Sequence, residues 1–484
     1  MKRLLYLSVL LLTIGTYAQD KAARKFAKTI TVDDLEARLA VLASDSLEGR
    51  ETATPGQKKA AKFIADHFSE IGLIPPVSTL EGDSYFQRFP LEKRQWHEVY
   101  LRKGEEIKKN FEDFVYYSNS ETMGEEVINL VYAGEQLDST LQTEGKFVVI
   151  TIPSMRGDWQ GMKNFYKEQG SAGFIILSEN KEEIDLAMAR LKQYLSRPRL
   201  SLKSEETMDP DDKILFMDSL TISWLFSAKY ADLEFGQTSQ AFLNADKHVF
   251  SLSSENVLGY IEGTEKPEEL LVITSHYDHL GKRDSLIYNG ADDDGSGTTT
   301  VMELAEAFSL AAQKRNRPAR SILFMCVSGE EKGLLGSDYY TTNPVFPLTN
   351  TVTNLNIDMV GRVDEKHEGN PYYIYIIGSD KLSQDLHQLS ERVNEETVNL
   401  EFDYTYNEED DPNRFYYRSD HYNFAKNDIP VIFYFNGTHE DYHKPTDTIE
   451  KINFDKMQKI AELIFYTAWE IANREERIVL DKEK

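Results

Sequence analysis

Three consecutive aspartates, Asp292, Asp293 and Asp294, are the residues of this sequence whose chemistry most needs an explanation. They lie in NGADDDGSG, which begins at Asn289 and runs into a segment with the apolar periodicity of a helix. Adjacent carboxylates repel one another, so three together indicate either a solvated loop or a bound cation. Asp294 or Ser296 could cap the following helix, but a cap requires one side chain and not three.

A calcium-binding EF-hand loop is the first alternative for this stretch. Counted from Asp292, it has Asp294 and Ser296 at the third and fifth places, Gly297 at the sixth and Glu303 at the twelfth. The context does not fit, because a strand and an Asn-Gly turn precede the loop where an EF-hand has a helix. The apolar stripe of the next helix also predicts that Glu303 faces solvent, away from the loop. A phosphate-binding loop fits less well still, since the glycine-lysine and three-glycine spacings are missing.

Further candidate residues follow short apolar segments elsewhere in the chain. His276 and Asp278 lie in SHYDHL, where the alternation of a strand would place the carboxylate beside the imidazole, as in many metal sites. Glu330 and Glu331 are neighbours, so one can bind a metal while the other acts as general base. Asp358 is a lone acid among apolar residues, and a buried charge there needs a partner or a metal.

His443, in THEDYHKPTDT, completes a set of two histidines and several carboxylates without any thiolate. Nitrogen and oxygen ligands in an open site are typical of catalytic zinc. Five ligands exceed what one open zinc site needs, which indicates two ions about 3.5–4 Å apart that share a carboxylate. Taken singly, each residue also fits a structural role, such as a strand-end ion pair for His276 and Asp278. His279 has no comparable partner, and we expect it to be a loop residue.

The elements that must position these residues are short apolar segments alternating with helical patterns. The segments are LLVITSH, SILFMCV, NLNI, YYIYIIG and IPVIFYF, and the helical patterns include TTTVMELAEAFSLAA and FDKMQKIAELIFYTAWEIAN. Buried strands that alternate with helices predict an α/β fold, here a three-layer sandwich with helices on both faces of a largely parallel, mixed sheet. The polar residues follow the strands, at the edge where open α/β sheets bind ligands.

The length of 484 residues predicts more than one domain. Residues 101–250 differ in texture from the rest, with strand patterns EEVINLVYAG and GKFVVITIPS and a helix-turn-strand pattern NFYKEQGSAGFIILSE. They predict a smaller α/β domain inserted between residues 19–100 and 251–484, which together form the main domain. The formal net charge of -27 argues against nucleic acid or an anionic membrane as partner, since both require basic surface.

The first twenty residues, MKRLLYLSVLLLTIGTYAQD, have the pattern of a secretory signal peptide over residues 1–18. Two basic residues precede an apolar run that is too short to span a bilayer, and small residues precede Gln19. Cys326 is the only cysteine, so we expect neither an intrachain disulfide nor a lipid anchor at the cleavage site. These features predict a bacterial protein that is exported to the periplasm or the medium.

Five sequence blocks in a fixed order resemble the co-catalytic di-zinc aminopeptidases. They are H-x-D, G-A-D-D-D-x-S-G, G-E-E-x-G-L-x-G-S, N-x-D-M and D-Y-H-x-P-x-D-T, and they lie between Glu255 and about Ile452. That family includes the secreted bacterial leucyl aminopeptidases and, more distantly, glutamate carboxypeptidase II, the transferrin receptor and the glutaminyl cyclases. The insert resembles the protease-associated domain of several members, which would restrict access to the active site.

The resemblance implies a site with two zinc ions. Asp293, the middle aspartate, would bridge the ions, while Asp292 and Asp294 would support it. His276 and Asp358 would complete one metal site, and Glu331 and His443 would complete the other.

The resemblance also implies a secreted exopeptidase that removes N-terminal residues from peptides. Glu330 would be the general base that takes a proton from a metal-bridging water, and Asp278 would orient His276. Tyr442 would bind the substrate carbonyl. Ser419-Asp420-His421 resembles a block near the substrate pocket, although a structural turn explains it equally well. Carboxypeptidase or glutaminyl cyclase chemistry on the same site, or a non-catalytic binding relative, remain the alternatives.

Overall fold

A computed structural model describes residues 21–203 and 212–481, so the predicted signal peptide lies outside the described residues. The chain divides into two compact units. Unit 1 comprises Met1–Pro90 and Ser253–Lys484, and unit 2 comprises Leu91–Leu252. The insertion predicted over residues 101–250 falls within unit 2.

The helices and strands of the described residues have the following bounds. After a helical stretch at residues 21–27, the α-helices are α1 (Val32–Leu42), α2 (Pro55–Glu70), α3 (Trp159–Lys167), α4 (Lys181–Leu195), α5 (Ser219–Phe226), α6 (Gly297–Gln313), α7 (Leu335–Thr342), α8 (Gln384–Glu396), α9 (His421–Ala425) and α10 (Phe454–Asn473). The strands are β1 (Val77–Thr79), β2 (Gly82–Ser84), β3 (Phe86–Lys103), β4 (Glu106–Lys109), β5 (Phe114–Tyr117), β6 (Glu126–Gly134), β7 (Phe147–Ile152), β8 (Gly173–Ser178), β9 (Arg199–Leu202), β10 (Ile214–Met217), β11 (Thr238–Ile261), β12 (Lys266–His276), β13 (Gly281–Arg283), β14 (Leu286–Tyr288), β15 (Arg320–Val327), β16 (Thr351–Ile357), β17 (Tyr373–Ile377), β18 (Glu401–Asp403) and β19 (Val431–Phe435).

The sheet of unit 1 has the strand order β18-β17-β19-β16-β12-β15-β11. Its centre is parallel, because β12 runs parallel to both β15 and β16, and β16 runs parallel to β19. The pairs β11–β15 and β17–β19 are antiparallel. The prediction of a largely parallel, mixed sheet is therefore confirmed.

Alternate residues of β12 enter two different hydrophobic cores. Leu271 and Ile273 pack in the core that includes residues of α1, α2, α6 and α10, whereas Leu270 and Val272 pack with residues of α7 and α9. Burial of each such side chain contributes about 1.5–3 kcal/mol to the free energy of unfolding. Helices thus cover both faces of the sheet, and the predicted three-layer sandwich is confirmed.

The sheet of unit 2 contains the parallel strands β6, β7, β8 and β10. It is extended by β5, antiparallel to β10, and by the first part of β11, antiparallel to β6. Val149 of β7 packs in the core that includes Ile222 of α5, while its neighbour Ile150 packs on the opposite core with residues of α3 and α4. Unit 2 is therefore also an α/β unit with helices on both faces.

Helix α6 departs from the sequence prediction at Glu303. This side chain is 2 % exposed and forms an ion pair with Arg38 of α1, so the expectation that it faces solvent is wrong. Every residue from 297 to 305 is buried, because α6 packs against β12 on one side and against other helices on the rest of its surface. An apolar stripe predicts a solvent face only for a helix that stays at the surface.

Among the described residues, no helix combines the length and the apolar character needed to cross a membrane.

Candidate metal centre

The carboxyl ends of four neighbouring parallel strands supply the predicted site residues. His276 is the last residue of β12, Asp358 follows β16 directly, and Glu330 begins the turn Glu330–Lys332 after β15. His443 lies in the loop that follows β19. Since the four strands run in the same direction, their ends meet at one edge of the sheet, as predicted for the ligand edge of an α/β fold.

The three aspartates lie in a turn at Ala291–Ser296 that leads into α6, and the peptide bond between Asp293 and Asp294 is cis. Asp294 turns away from the site and caps the helix, since its Oδ1 accepts hydrogen bonds from the N–H groups of Gly297 at 2.9 Å and Met359 at 3.0 Å. It therefore ties the start of α6 to the loop after β16.

Asp292 also turns away from its middle neighbour and holds surrounding loops. Its Oδ1 accepts a hydrogen bond from the N–H of Gly361 at 2.6 Å. Its Oδ2 accepts one from the amide of Asn436 at 3.2 Å and lies 3.2 Å from Nε2 of His439. Two of the three adjacent carboxylates are thus occupied by hydrogen bonds within the protein.

Asp293 alone of the three presents its carboxylate to the other site residues. Its Oδ1 lies 3.4 Å from Nε2 of His276, and its Oδ2 lies 3.1 Å from Nε2 of His443. Its own N–H donates to Asp447 at 3.2 Å, which fixes the backbone of the turn. One carboxylate therefore faces two histidines with its two different oxygens.

The residues around Asp293 form two clusters, each of which could hold one ion. The first consists of His276, Glu330 and Asp358, with Nε2 of His276 3.6 Å from Oδ1 of Asp358 and 3.9 Å from Oε2 of Glu330. All three side chains are buried or nearly so. This cluster contains the predicted ligand pair together with the predicted base.

The second cluster consists of His279, Asp293 and Glu331. Nδ1 of His279 lies 2.8 Å from Oε1 of Glu331 and 3.8 Å from Oδ2 of Asp293. His443 approaches the same group, since its Nε2 lies 3.4 Å from Oε2 of Glu331, but its side chain is 39 % exposed. The structure thus brings two histidines to this cluster, whereas the sequence predicted His443 alone.

His279 is the site residue that sequence reasoning missed. Strand β12 ends at His276, and His279 lies three residues further on. Because the alternation of side chains holds only within a strand, the sequence did not predict the direction of the His279 side chain. The side chain is in fact fully buried, and burial lowers its pKa to about 3. The imidazole is therefore neutral, which is the form that binds metal ions.

Asp278 contacts His276 differently from the prediction. Nδ1 of His276 lies 3.1 Å from the backbone carbonyl oxygen of Asp278 and 3.9 Å from its carboxylate. The carboxylate instead accepts hydrogen bonds from the N–H of Glu330 at 3.2 Å and from the hydroxyl of Thr52 at 2.6 Å. The backbone of Asp278 therefore orients the imidazole, while its side chain positions the turn that carries the base.

Two residues from the rest of unit 1 complete the support of the site. Arg50 is buried and donates to the carbonyl oxygens of Tyr277 at 2.8 Å, Asn289 at 2.6 Å and Gly290 at 3.0 Å, so it joins the end of β12 to the aspartate turn. Ser419, from the block resembling a substrate-pocket motif, donates to Oδ2 of Asp358 at 2.7 Å.

The donor atoms of the second cluster test whether zinc fits this site. Among the described residues, Oδ2 of Asp293, Oε1 of Glu331 and both ring nitrogens of His279 are buried without a hydrogen-bond partner. Buried polar atoms are almost always hydrogen-bonded, so a close approach without hydrogen bonds indicates ligands that converge on an ion. Nitrogen and carboxylate oxygen donors are the set that catalytic zinc sites use.

The ionisation of the first cluster follows from its burial and its charges. Burial lowers the pKa of His276, but the carboxylates of Glu330 and Asp358 outweigh that effect and raise the pKa well above its usual value. Burial raises the pKa of Glu330 well above its usual value, against the opposing effect of His276. A carboxylate with a raised pKa is a better proton acceptor near neutral pH.

A cavity beside the two clusters combines apolar and polar walls. Its apolar side is formed by Met359, Phe415, Phe433 and Phe435. At its edge the guanidinium of Arg418 lies 4.7 Å from the ring centre of Phe415 and 3.5 Å from the hydroxyl of Tyr442, the predicted substrate-binding residue. Tyr442 stacks on His443 with 3.9 Å between ring centres.

Two curated proteins have related sequences. A probable zinc metalloprotease of Leptosphaeria maculans is 36% identical over 121 residues, which are 24% of this chain and 27% of that protein. Aminopeptidase YwaD of Bacillus subtilis is 25% identical over 358 residues, which are 71% of this chain and 66% of that protein. The chain thus aligns with less than two thirds of the length of either relative.

The fold is also found in a solved structure, an aminopeptidase from Aneurinibacillus sp. strain AM-1, with a TM-score of 0.53 and 18% identity. The alignment covers 96% of this chain and 98% of that one, and at this identity it establishes the fold alone. Residues 256–468, which include all the predicted metal ligands, match peptidase family M28. The chain therefore carries a domain of peptidase family M28.

Proposed function

We propose that this protein is a zinc-dependent aminopeptidase that hydrolyses N-terminal residues from peptides. The observation that carries the proposal is the position of Asp293, whose two oxygens face His276 at 3.4 Å and His443 at 3.1 Å. A carboxylate shared between two ligand clusters is the arrangement expected for a pair of catalytic metal ions.

The residues fall into two proposed ligand sets. His276 and Asp358 would hold one ion, Glu331 and His443 the other, and Asp293 would be common to both. When bound, the two zinc ions would polarise the scissile carbonyl and lower the pKa of an attacking water.

Glu330 is the proposed general base. Its Oε2 lies 3.9 Å from Nε2 of His276, and its backbone N–H is held by the carboxylate of Asp278 at 3.2 Å. In this position the carboxylate would accept a proton from the attacking water and then donate it to the amine that leaves. Proton transfer by a positioned side chain of this kind contributes typically about 10²–10⁴-fold to the rate.

The cavity supports a substrate with an apolar first side chain. A free amino terminus is supported by the similarity to aminopeptidase YwaD and not by the charge of the lining. The carboxylates there are proposed zinc ligands or the proposed base, and the ions would offset their charge. The four apolar residues Met359, Phe415, Phe433 and Phe435 would receive the side chain. Tyr442 would donate its hydroxyl proton to the substrate carbonyl, because burial raises its pKa and would keep it protonated.

Export is the second part of the proposal and is supported by the signal-peptide pattern of residues 1–18. The resemblance of GKFVVI and EQGSAGFIILSE, within residues 101–250, to the protease-associated domain supports such a role for the insert, which would limit access to the site and perform no chemistry.

A panel of aminoacyl fluorogenic substrates, with and without a chelator, tests the activity. We expect hydrolysis of unblocked aminoacyl substrates, loss of activity with the chelator and recovery on addition of zinc. Hydrolysis of N-terminally blocked peptides from the carboxyl end would instead indicate a carboxypeptidase. Ring closure of peptides that begin with glutamine would indicate a cyclase.

A further inference from the structure

A second group of metal-ligating side chains lies in unit 2, on the paired strands β3 and β11. His97 belongs to β3, and Asp246 and His248 belong to β11. Residues two apart in a strand point to the same face, so Asp246 and His248 share one face of β11. His97 reaches the same face from the neighbouring strand, because its ring stacks on that of His248 with 4.0 Å between centres.

The residues next to this group in sequence contact each other and the core of unit 2. Lys247 lies between Asp246 and His248 in sequence, and its Nζ is 4.3 Å from the ring centre of Trp96, the neighbour of His97. Trp96 in turn packs edge-on against Tyr116, a residue of the unit 2 core. Trp96 and Lys247 therefore contact each other beside the group, with Trp96 packed on the unit 2 core, while His97 and His248 remain exposed.

The three side chains lie close enough to share one ion, which would bind when one imidazole rotates out of the stacked pair, since a ring nitrogen coordinates in the plane of its ring. One ligand atom from each of His97, Asp246 and His248 lies within 4.8 Å of the other two. Both histidines are exposed, so an ion can reach them and can keep water as its remaining ligand. Two imidazoles and a carboxylate are ligands that favour zinc and its neighbours copper and nickel over magnesium or calcium.

We propose that His97, Asp246 and His248 form a second, non-catalytic binding site for a zinc-class divalent ion. The ion would join the strand on which the chain enters unit 2 to the strand on which it leaves. A link between residues 97 and 248 closes a loop that contains almost all of unit 2, and such a link removes conformational freedom from the unfolded chain. The site would therefore stabilise unit 2, and it does not rest on the proposed peptidase function.

Zinc binding to the full-length protein tests the proposal. We would compare the wild type with the His97→Gln/His248→Gln variant by equilibrium dialysis against graded zinc concentrations, with metal content measured by atomic emission. The expected result is that the variant binds about one zinc equivalent less, while it keeps the equivalents held by the peptidase-domain ligands. His387→Gln, which alters a histidine of unit 1 outside all three clusters, is the matched control and should bind as the wild type does.

The thermal midpoint of unit 2 provides a readout that does not depend on counting ions. Added zinc should raise this midpoint in the wild type and in Asp293→Asn, in which the peptidase-domain site is impaired, because an ion that binds only the folded state stabilises it. The rise should vanish in His97→Gln/His248→Gln and shrink in Asp246→Asn. Equal zinc content and equal midpoint shifts in the double variant and the wild type would overturn the proposal.

Discussion

The carboxylate of Asp278 accepts a hydrogen bond from the backbone N–H of Glu330 at 3.2 Å, and so joins the end of β12 to the turn after β15. The two residues are neighbours in space because β12 and β15 are parallel partners whose registered ends are His276 and Val327. The position of the proposed base, Glu330, therefore depends on the carboxylate of Asp278, which the sequence analysis expected to orient His276.

Asp278→Asn should lower kcat because it replaces one of the two oxygen acceptors that hold Glu330 and Thr52. Loss of a supporting contact of this kind typically costs about 10–100-fold. Steady-state kinetics on a zinc-saturated preparation would measure the effect. Thr52→Val removes only the 2.6 Å hydroxyl contact and serves as the milder control. An unchanged kcat in Asp278→Asn would show that this contact does not position the base.

His279→Gln should weaken zinc binding at the second cluster by about 10–100-fold, because the variant lacks the buried neutral imidazole beside Glu331. Competition with a chromogenic chelator measures the affinity. His421 is the matched control: it is equally buried, its pKa is also lowered to about 3, and it stacks on Phe433 at 4.6 Å. If His279→Gln and His421→Gln bound zinc equally well, His279 would have no part in the site.

The substrate cavity predicts a preference for apolar N-terminal side chains. Leucyl and phenylalanyl substrates should have kcat/KM values at least about 10-fold above that of the glycyl substrate, since each buried methylene contributes to transition-state binding. Parallel assays with aminoacyl substrates of one leaving group measure the ratios. A preference for aspartyl or glutamyl substrates would contradict the assignment and indicate that Arg418 dominates the cavity.

Lys456 makes stability depend on pH. This buried residue donates to the carbonyl oxygen of Arg362 at 2.6 Å, and burial lowers its pKa to about 7. In the unfolded chain Lys456 keeps the higher pKa of an ordinary lysine, so above pH 7 the unfolded state binds more protons than the folded state. The free energy of unfolding should therefore rise with pH above about 7, by at most about 1.4 kcal/mol per pH unit. Lys456→Met removes this titration, which isolates the effect from other groups.

Urea denaturation of the wild type and Lys456→Met at pH 7, 8 and 9 measures that dependence. The wild type should gain stability relative to the variant at each step, because the charged ammonium is the form that the folded protein disfavours. A difference between the two proteins that stays constant over this range would contradict a lowered pKa in the folded state.

The sheet of unit 1 and its polar edge were predictable from the sequence, because the strands are short apolar segments that end at chemically distinctive residues. β12 ends at His276 and β16 ends directly before Asp358, so a strand pattern located both side chains. The run of three acids identified Asp293 as one of three candidates, and the family resemblance singled it out as the bridging ligand. The structure adds the hydrogen bonds that occupy its neighbours Asp292 and Asp294.

The residues that escaped prediction are those whose partners are distant in sequence. Arg50 and Thr52 support the site from a segment more than two hundred residues before it, and no local pattern connects them to β12. Glu303 was assigned to solvent because the sequence does not show that α6 is covered by other helices. His279 lies beyond the end of its strand, where alternation no longer determines direction.

The measurement that tests the central claim most directly is the activity and metal content of Glu330→Gln in one preparation. Glutamine preserves the shape of the side chain but cannot accept the proton. We predict that the variant retains the zinc content of the wild type, about two equivalents, and loses about 10²–10⁴-fold in kcat with unblocked aminoacyl substrates. Full activity in the zinc-loaded variant would contradict the proposed mechanism.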